Sequence, residues 1–118
     1  MEGTKLGLSG EPTENPAAMS ALAVYGQYRL GVLTHDTFVF EPRLETLGKW
    51  NRQLTGESLG KENSSGKPVG ILPTVSVGST DLHSVGQLYL GGPRNIFTSF
   101  VSVKSGADAK IVLSMPVE

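Results

Sequence analysis

Two side chains in this sequence have the types and settings that acid–base chemistry requires. His83 follows an apolar run rich in Val, Ile and Thr, in the predicted first turn of a helix that Ser79 could cap. Glu57 lies beside glycine at the end of an apolar helical pattern. A carboxylate and an imidazole on two consecutive strand–helix units could move protons on a carbonyl compound. Considered alone, His83 is also compatible with a structural role in which it makes a hydrogen bond. Glu57 alone is also compatible with an ordinary exposed residue at the end of a helix.

Other chemistries find less support in the residues. Gly56 and Gly60 are one residue too close for a phosphate-binding loop, and Glu62 stands where Ser or Thr should hold magnesium. That segment also follows a helix, whereas a phosphate loop follows a strand. The residues GESLG at 56–60 have the Gly-x-Ser-x-Gly spacing, but they follow a predicted helix, whereas the nucleophile elbow of a serine hydrolase follows a strand.

A metal site is not indicated either. Asp36, Asp81 and His83 share no known ligand spacing, and the chain has no cysteine. His35 has no evident partner in the sequence and is expected to be structural.

The overall composition predicts a soluble cytoplasmic domain. The 118 residues suffice for one domain with a modest core, and a net charge of -1 gives no field that would attract nucleic acid or an anionic membrane. The absence of cysteine fits a reducing compartment. No apolar run is long enough to span a membrane, and residues 1–10 do not resemble a signal peptide.

The spacing of apolar residues predicts alternating helices and strands. After an irregular segment at 1–14, helices are predicted at 16–30, 43–55 and 79–91, strands at 32–40, 69–77 and 95–104, and a short apolar run at 111–113. This order favours an α/β fold with a parallel sheet flanked by helices. Both faces of a parallel sheet must be covered, and three helices can barely do this. We therefore expect the chain to be part of a larger protein or an obligate oligomer.

Two segments together resemble the glucose-6-phosphate isomerases of bacteria. WNRQLTGESLGK at 50–61 is similar to that family's Trp-x-x-Gln-Leu-x-x-Glu-Ser-x-Gly-Lys pattern, and TDLHSVGQLYLGG at 80–92 to its Thr-Asp-x-His-Ser-x-Gly-Gln pattern. The resemblance runs from about 15 to 103. It implies a three-layer, Rossmann-like sugar-isomerase (SIS) domain over 15–104, the second of the family's two, followed by a terminal strand or tail over 105–118.

The resemblance also implies roles for single residues. Glu57 matches the base that transfers a proton between C2 and C1 of the open-chain sugar through an enediol. His83 matches the histidine that helps to open the sugar ring, and in the family it enters the site from the neighbouring subunit. Gln53 matches a glutamine that contacts the substrate. The implied partners are a sugar phosphate and a second copy in a homodimer, and no metal or organic cofactor is implied.

The family's first SIS domain, with its phosphate loop and an arginine, has no counterpart in these 118 residues, nor does its C-terminal lysine. We therefore expect the chain to be a fragment that is inactive by itself. The alternative is a non-catalytic SIS-type module that binds sugar phosphates or has a regulatory role. The presence of Glu57 argues against that alternative, because a binder needs no base.

Overall fold

The computed structural model describes residues 2–103 and 109–113, and the chain divides after Gly31 into two compact units. The first unit contains α1 (Glu2–Gly7), a 3-10 turn (Pro12–Glu14) and α2 (Pro16–Arg29). The prediction of an irregular segment over 1–14 is corrected here by α1 and the 3-10 turn. Of the predicted terminal strand or tail over 105–118, only 109–113 are among the described residues.

Asn15 explains why α2 begins where it does. Its side-chain oxygen accepts a hydrogen bond of 3.1 Å from the backbone N–H of Ala18, as a helix cap should. Its amide nitrogen donates to the carbonyls of Gly7 and Ser9, both at 3.1 Å. One nearly buried side chain therefore ties the end of α1 to the start of α2.

The second unit is built on a four-stranded sheet. Its elements are, in chain order, β1 (Thr34–Val39), α3 (Glu45–Leu59), β2 (Lys61–Glu62), β3 (Pro68–Val69), β4 (Leu72–Val77), α4 (Thr80–Ser84), α5 (Gly86–Gly91), β5 (Ile96–Val103) and β6 (Ala109–Leu113). The strand order is β4-β1-β5-β6, and β2 and β3 form a separate small hairpin. β1 is parallel to β4 and β5, whereas β6 is antiparallel to β5.

The predicted α/β class and parallel sheet are confirmed, with an antiparallel strand added at one edge. The parallel pairs each have a helical connection, while β5 and β6 are joined by a link of only five residues, 104–108. Such a link cannot cross over to a parallel strand, so the final strand returns antiparallel.

Helices cover both faces of this sheet. Adjacent strand residues point to opposite faces, so Val39 and Phe38 mark the two sides of β1. α3 lies against the Val39 side: a Cβ built on Gly48 would be 2.8 Å from a methyl of Val75. On the other side the rings of Phe38, Phe40 and Phe100 lie 4.9–5.8 Å apart, and α5 contacts this face through Tyr89. The three-layer arrangement thus applies to α3, the sheet and α5.

The helix predicted at 79–91 is divided in the structure into α4 and α5. The break falls at Val85, which precedes Gly86. A β-branched residue followed by glycine is a weak continuation of a helix, and this explains the break. None of the described helices is both long and apolar enough to cross a bilayer.

Candidate active site

Gln53 and Glu57 form a pair on the outward face of α3. Nε2 of Gln53 donates a hydrogen bond of 3.1 Å to Oε1 of Glu57, one helical turn later. α3 extends to Leu59, four residues beyond its predicted end at Thr55, so Glu57 lies within the helix. Both side chains are exposed, and the carboxylate therefore points away from the sheet.

An open concavity of about 750 Å³ adjoins this pair. It is a shallow surface groove that does not enclose a ligand by itself. Its lining residues all come from α3 and comprise Thr46, Lys49, Trp50, Arg52, Gln53, Gly56 and Glu57. The groove combines one acid, one amide, two basic side chains and an indole, a set that can bind a polar, anionic molecule and exchange a proton with it.

His83 lies in α4, beyond the carboxyl end of β4, as predicted. The ring is exposed, and no hydrogen bond of its own is found among the described residues. The residues around it are held more firmly. Asp81 accepts hydrogen bonds from the backbone N–H of Val77 at 2.6 Å and from Oγ of Ser84 at 2.8 Å.

Within one copy of the chain, Glu57 and His83 lie toward opposite ends of β4. Gly56, beside Glu57, approaches Pro73 near the start of the strand, and Asp81 binds Val77 at its end. About 13 Å of strand separates Pro73 from Val77, at about 3.3 Å per residue. The structure therefore brings Gln53 to Glu57 but does not bring His83 to either of them.

A buried polar cluster lies on the α5 side of the sheet. Asp36 has no exposed surface, and its Oδ1 accepts hydrogen bonds from Thr74 at 2.6 Å and Ser76 at 3.1 Å. Its Oδ2 has no partner within the described part of the chain. Ser76 also hydrogen-bonds the Tyr89 hydroxyl at 3.2 Å, and burial raises the pKa of Tyr89. Sequence reasoning considered Asp36 only as a metal ligand; the Thr and Ser opposite it in β4 were the available signal.

His35 has a structural partner. Its Nε2 lies 2.9 Å from Oγ of Ser99 in β5, and its ring lies 5.5 Å from that of Phe97. Burial lowers the pKa of His35, against a smaller opposing effect of the Asp36 charge. Among the residues that the structure describes, no group of three or more His, Asp or Glu could hold a metal ion.

Comparison with known proteins agrees with the two sequence segments. No model of a known protein family matches the chain. It is 41% identical over 95 residues to the glucose-6-phosphate isomerase of Streptococcus pyogenes serotype M6, covering 80% of this chain and 20% of that protein. The isomerase of Symbiobacterium thermophilum is 41% identical over 90 residues, covering 76% and 19%.

A solved structure also shares the fold. A hypothetical protein from Thermus thermophilus matches with a TM-score of 0.77 and 27% identity, over 84% of this chain and 23% of that one. The chain thus spans about a fifth of the length of the curated relatives it matches. Over most of its own length, the chain is a homologue of the glucose-6-phosphate isomerases and corresponds to a part of them.

Proposed function

We propose that this chain supplies the proton-transfer part of a glucose-6-phosphate isomerase. In the proposed reaction the open-chain aldose and ketose forms of the sugar phosphate interconvert through an enediol. The observation that carries the proposal is the Gln53–Glu57 pair, with its 3.1 Å hydrogen bond, on an open groove of α3. The names of the relatives support the choice of substrate.

In this proposal Glu57 is the base. Its carboxylate takes the proton from C2 of glucose 6-phosphate, and the C–H electron pair forms the C1–C2 double bond of the enediol as O1 gains a proton. Return of the proton to C1, with loss of the O2 proton, gives fructose 6-phosphate. Gln53 would hold a substrate hydroxyl and orient Glu57 through their shared hydrogen bond. Since the carboxylate is exposed in this chain, the missing parts of the protein would have to shelter the reaction from water.

His83 would act on a neighbouring copy. We propose that it transfers a proton to or from the ring oxygen when the pyranose opens. His83 lies near the end of β4 that is farther from Glu57. This separation supports a site that two copies of the protein share. A homodimer with an amino-terminal SIS domain is therefore part of the proposal, as is the predicted cytoplasmic location.

The function can be tested by grafting. The S. pyogenes isomerase is prepared with its matching 95-residue segment replaced by that of this chain, here called the grafted enzyme. We expect the grafted enzyme to convert fructose 6-phosphate and the isolated chain to be inactive. Glu57→Gln should lower kcat by about 10²–10⁴-fold, the usual contribution of a general base.

A grafted enzyme in which Glu57→Gln is as active as its parent would refute the role of Glu57. Binding of fructose 6-phosphate without turnover, in a grafted enzyme whose circular dichroism matches that of the parent, would favour the binding module instead. Glu62→Gln, at an exposed carboxylate in β2, is the matched control.

A further inference from the structure

Asp81 closes the outer edge of β4. The backbone N–H groups of Leu72 and Gly78 donate to β1 and its flank, so those of alternate residues such as Val77 point away from the sheet. Oδ2 of Asp81 accepts the Val77 N–H at 2.6 Å, four residues along the chain. The turn after the strand is therefore tied back to the strand itself.

The same carboxylate also holds the turn together internally. Oδ1 of Asp81 accepts the hydroxyl of Ser84 at 2.8 Å, and the Asp81 carbonyl accepts the N–H of Val85 at 3.0 Å. His83 lies between these contacts and makes no hydrogen bond of its own within the described residues. The backbone of α4 thus fixes where the His83 side chain leaves the helix, while no hydrogen bond among the described residues fixes its ring.

α4 needs this support because it has only five residues. A single helical turn is not stable in isolation, and the Ser79 side chain makes no capping bond to it. The bonds from Val77 and Ser84 favour the charged form of Asp81 and hold the pKa of its carboxyl below the ordinary range. It is therefore ionised at neutral pH, where hydrogen bonds to a charged acceptor are among the stronger ones.

We propose that Asp81 is a positioning residue for His83: it fixes α4 on the end of β4, and with it the point from which the His83 side chain extends toward the sugar ring in a neighbouring copy. This inference rests on the proposed function. The competing explanation is that Asp81 serves only the sheet, blocking edge pairing together with Pro73, which has no N–H to offer.

The first experiment tests the geometry in the 118-residue chain. We expect Asp81→Ala to make the Val77 amide exchange with solvent at least tenfold faster and to shift the His83 ring resonance. That resonance can be assigned because the chain has only two histidines. Ser84→Ala should give a smaller change, because the bond to Val77 remains. Unchanged exchange at Val77 in Asp81→Ala would overturn the proposal.

The second experiment separates positioning from edge protection, using the grafted enzyme. Asp81→Ala should lower kcat about 10- to 100-fold with little change in KM, while Asp81→Asn, which keeps an acceptor oxygen, should recover much of the loss. In a His83→Gln background Asp81→Ala should have no further effect, because both changes disable one function. Equal fold losses with and without His83 would show that Asp81 serves the sheet alone.

The control variants distinguish the catalytic role of His83 from the positioning role of Asp81. If His83→Gln leaves the grafted enzyme fully active, the proposed role of His83 fails, whatever Asp81 does. If His83→Gln impairs the enzyme and Asp81→Ala does not, only the positioning role fails. Glu62→Gln should behave as the parent in both experiments.

Discussion

Gln53 donates a 3.1 Å hydrogen bond to Glu57 from one turn earlier on the same exposed face of α3. An amide so placed leaves one oxygen of the carboxylate occupied and the other available for chemistry. The two residues therefore form one unit, and their effects on activity should not be independent.

Replacing Gln53 tests this coupling. In the grafted enzyme Gln53→Ala should reduce kcat/KM about 10- to 100-fold, because the base loses its orientation and the substrate loses a contact. Adding Gln53→Ala to Glu57→Gln should cost much less than it does alone. Steady-state kinetics on the four proteins measures this, and strictly multiplicative losses would contradict a shared role.

Gly48 is where α3 approaches the sheet most closely. A Cβ there would be 2.8 Å from Val75, so Gly48→Ala should destabilise the protein by about 1–3 kcal/mol through overpacking. Gly56→Ala is the matched control in the same helix, since its Cβ would meet Pro73 at an ordinary 3.8 Å. That change should stabilise by about 0.5–1 kcal/mol. Urea unfolding of both variants checks the order, and equal effects would contradict the packing described for α3.

Asp36 should be a major determinant of stability in the second unit. Asp36→Ala leaves the hydroxyls of Thr74 and Ser76 without their buried acceptor and should cost about 2–3 kcal/mol. Asp36→Asn keeps an acceptor oxygen and should cost less. The measurement is again the free energy of unfolding, with the exposed Glu62→Gln expected within about 0.5 kcal/mol of the parent. If Asp36→Ala left the free energy of unfolding unchanged, the polar cluster would contribute nothing to stability.

His35 makes the fold sensitive to mild acid. Burial lowers its pKa below the ordinary 6.5, so the unfolded chain binds a proton more readily than the folded one. Its contribution to stability is therefore full above pH 6.5 and is lost as the pH falls below that value.

His35→Asn should flatten the change in unfolding free energy between about pH 7.5 and 5.5. The hydrogen-bonded Arg43 lowers the pKa of Glu41 to about 2, and the pKa of Asp81 is also lowered. The contributions of these two carboxylates to stability are lost only below their ordinary pKa values of 4.5 and 3.8. Neither carboxylate therefore changes the stability between about pH 7.5 and 5.5, where His35 does. An unchanged slope in His35→Asn would contradict the assignment.

Local patterns in the sequence predicted most of the elements because their causes are local. Asn15 caps α2, apolar spacing marks α3, and β-branched residues mark β1 and β5. The division of the last predicted helix at Val85 could have been inferred from the glycine that follows it. The antiparallel return of β6 follows from the length of the link after β5, since five residues are too few for a crossover connection.

The contacts within the site were harder to predict. The Gln53–Glu57 pair follows from i,i+4 spacing once the helix is known to reach Leu59. The contacts of Asp36 and Asp81 depend on strand register and on how a turn folds back, which no single segment specifies. The separation of Glu57 from His83 likewise arises from the antiparallel course of α3 along β4.

That separation gives the most direct test of the central claim, that the site is shared between copies. Grafted enzyme carrying Glu57→Gln and grafted enzyme carrying His83→Gln are unfolded together, refolded as a mixture and assayed with fructose 6-phosphate. Random pairing makes half of the dimers mixed, and each mixed dimer has one of its two sites intact, so the mixture should regain about a quarter of the parent activity. A mixture no more active than the two variants refolded separately would show that one copy supplies both residues, and would contradict the account.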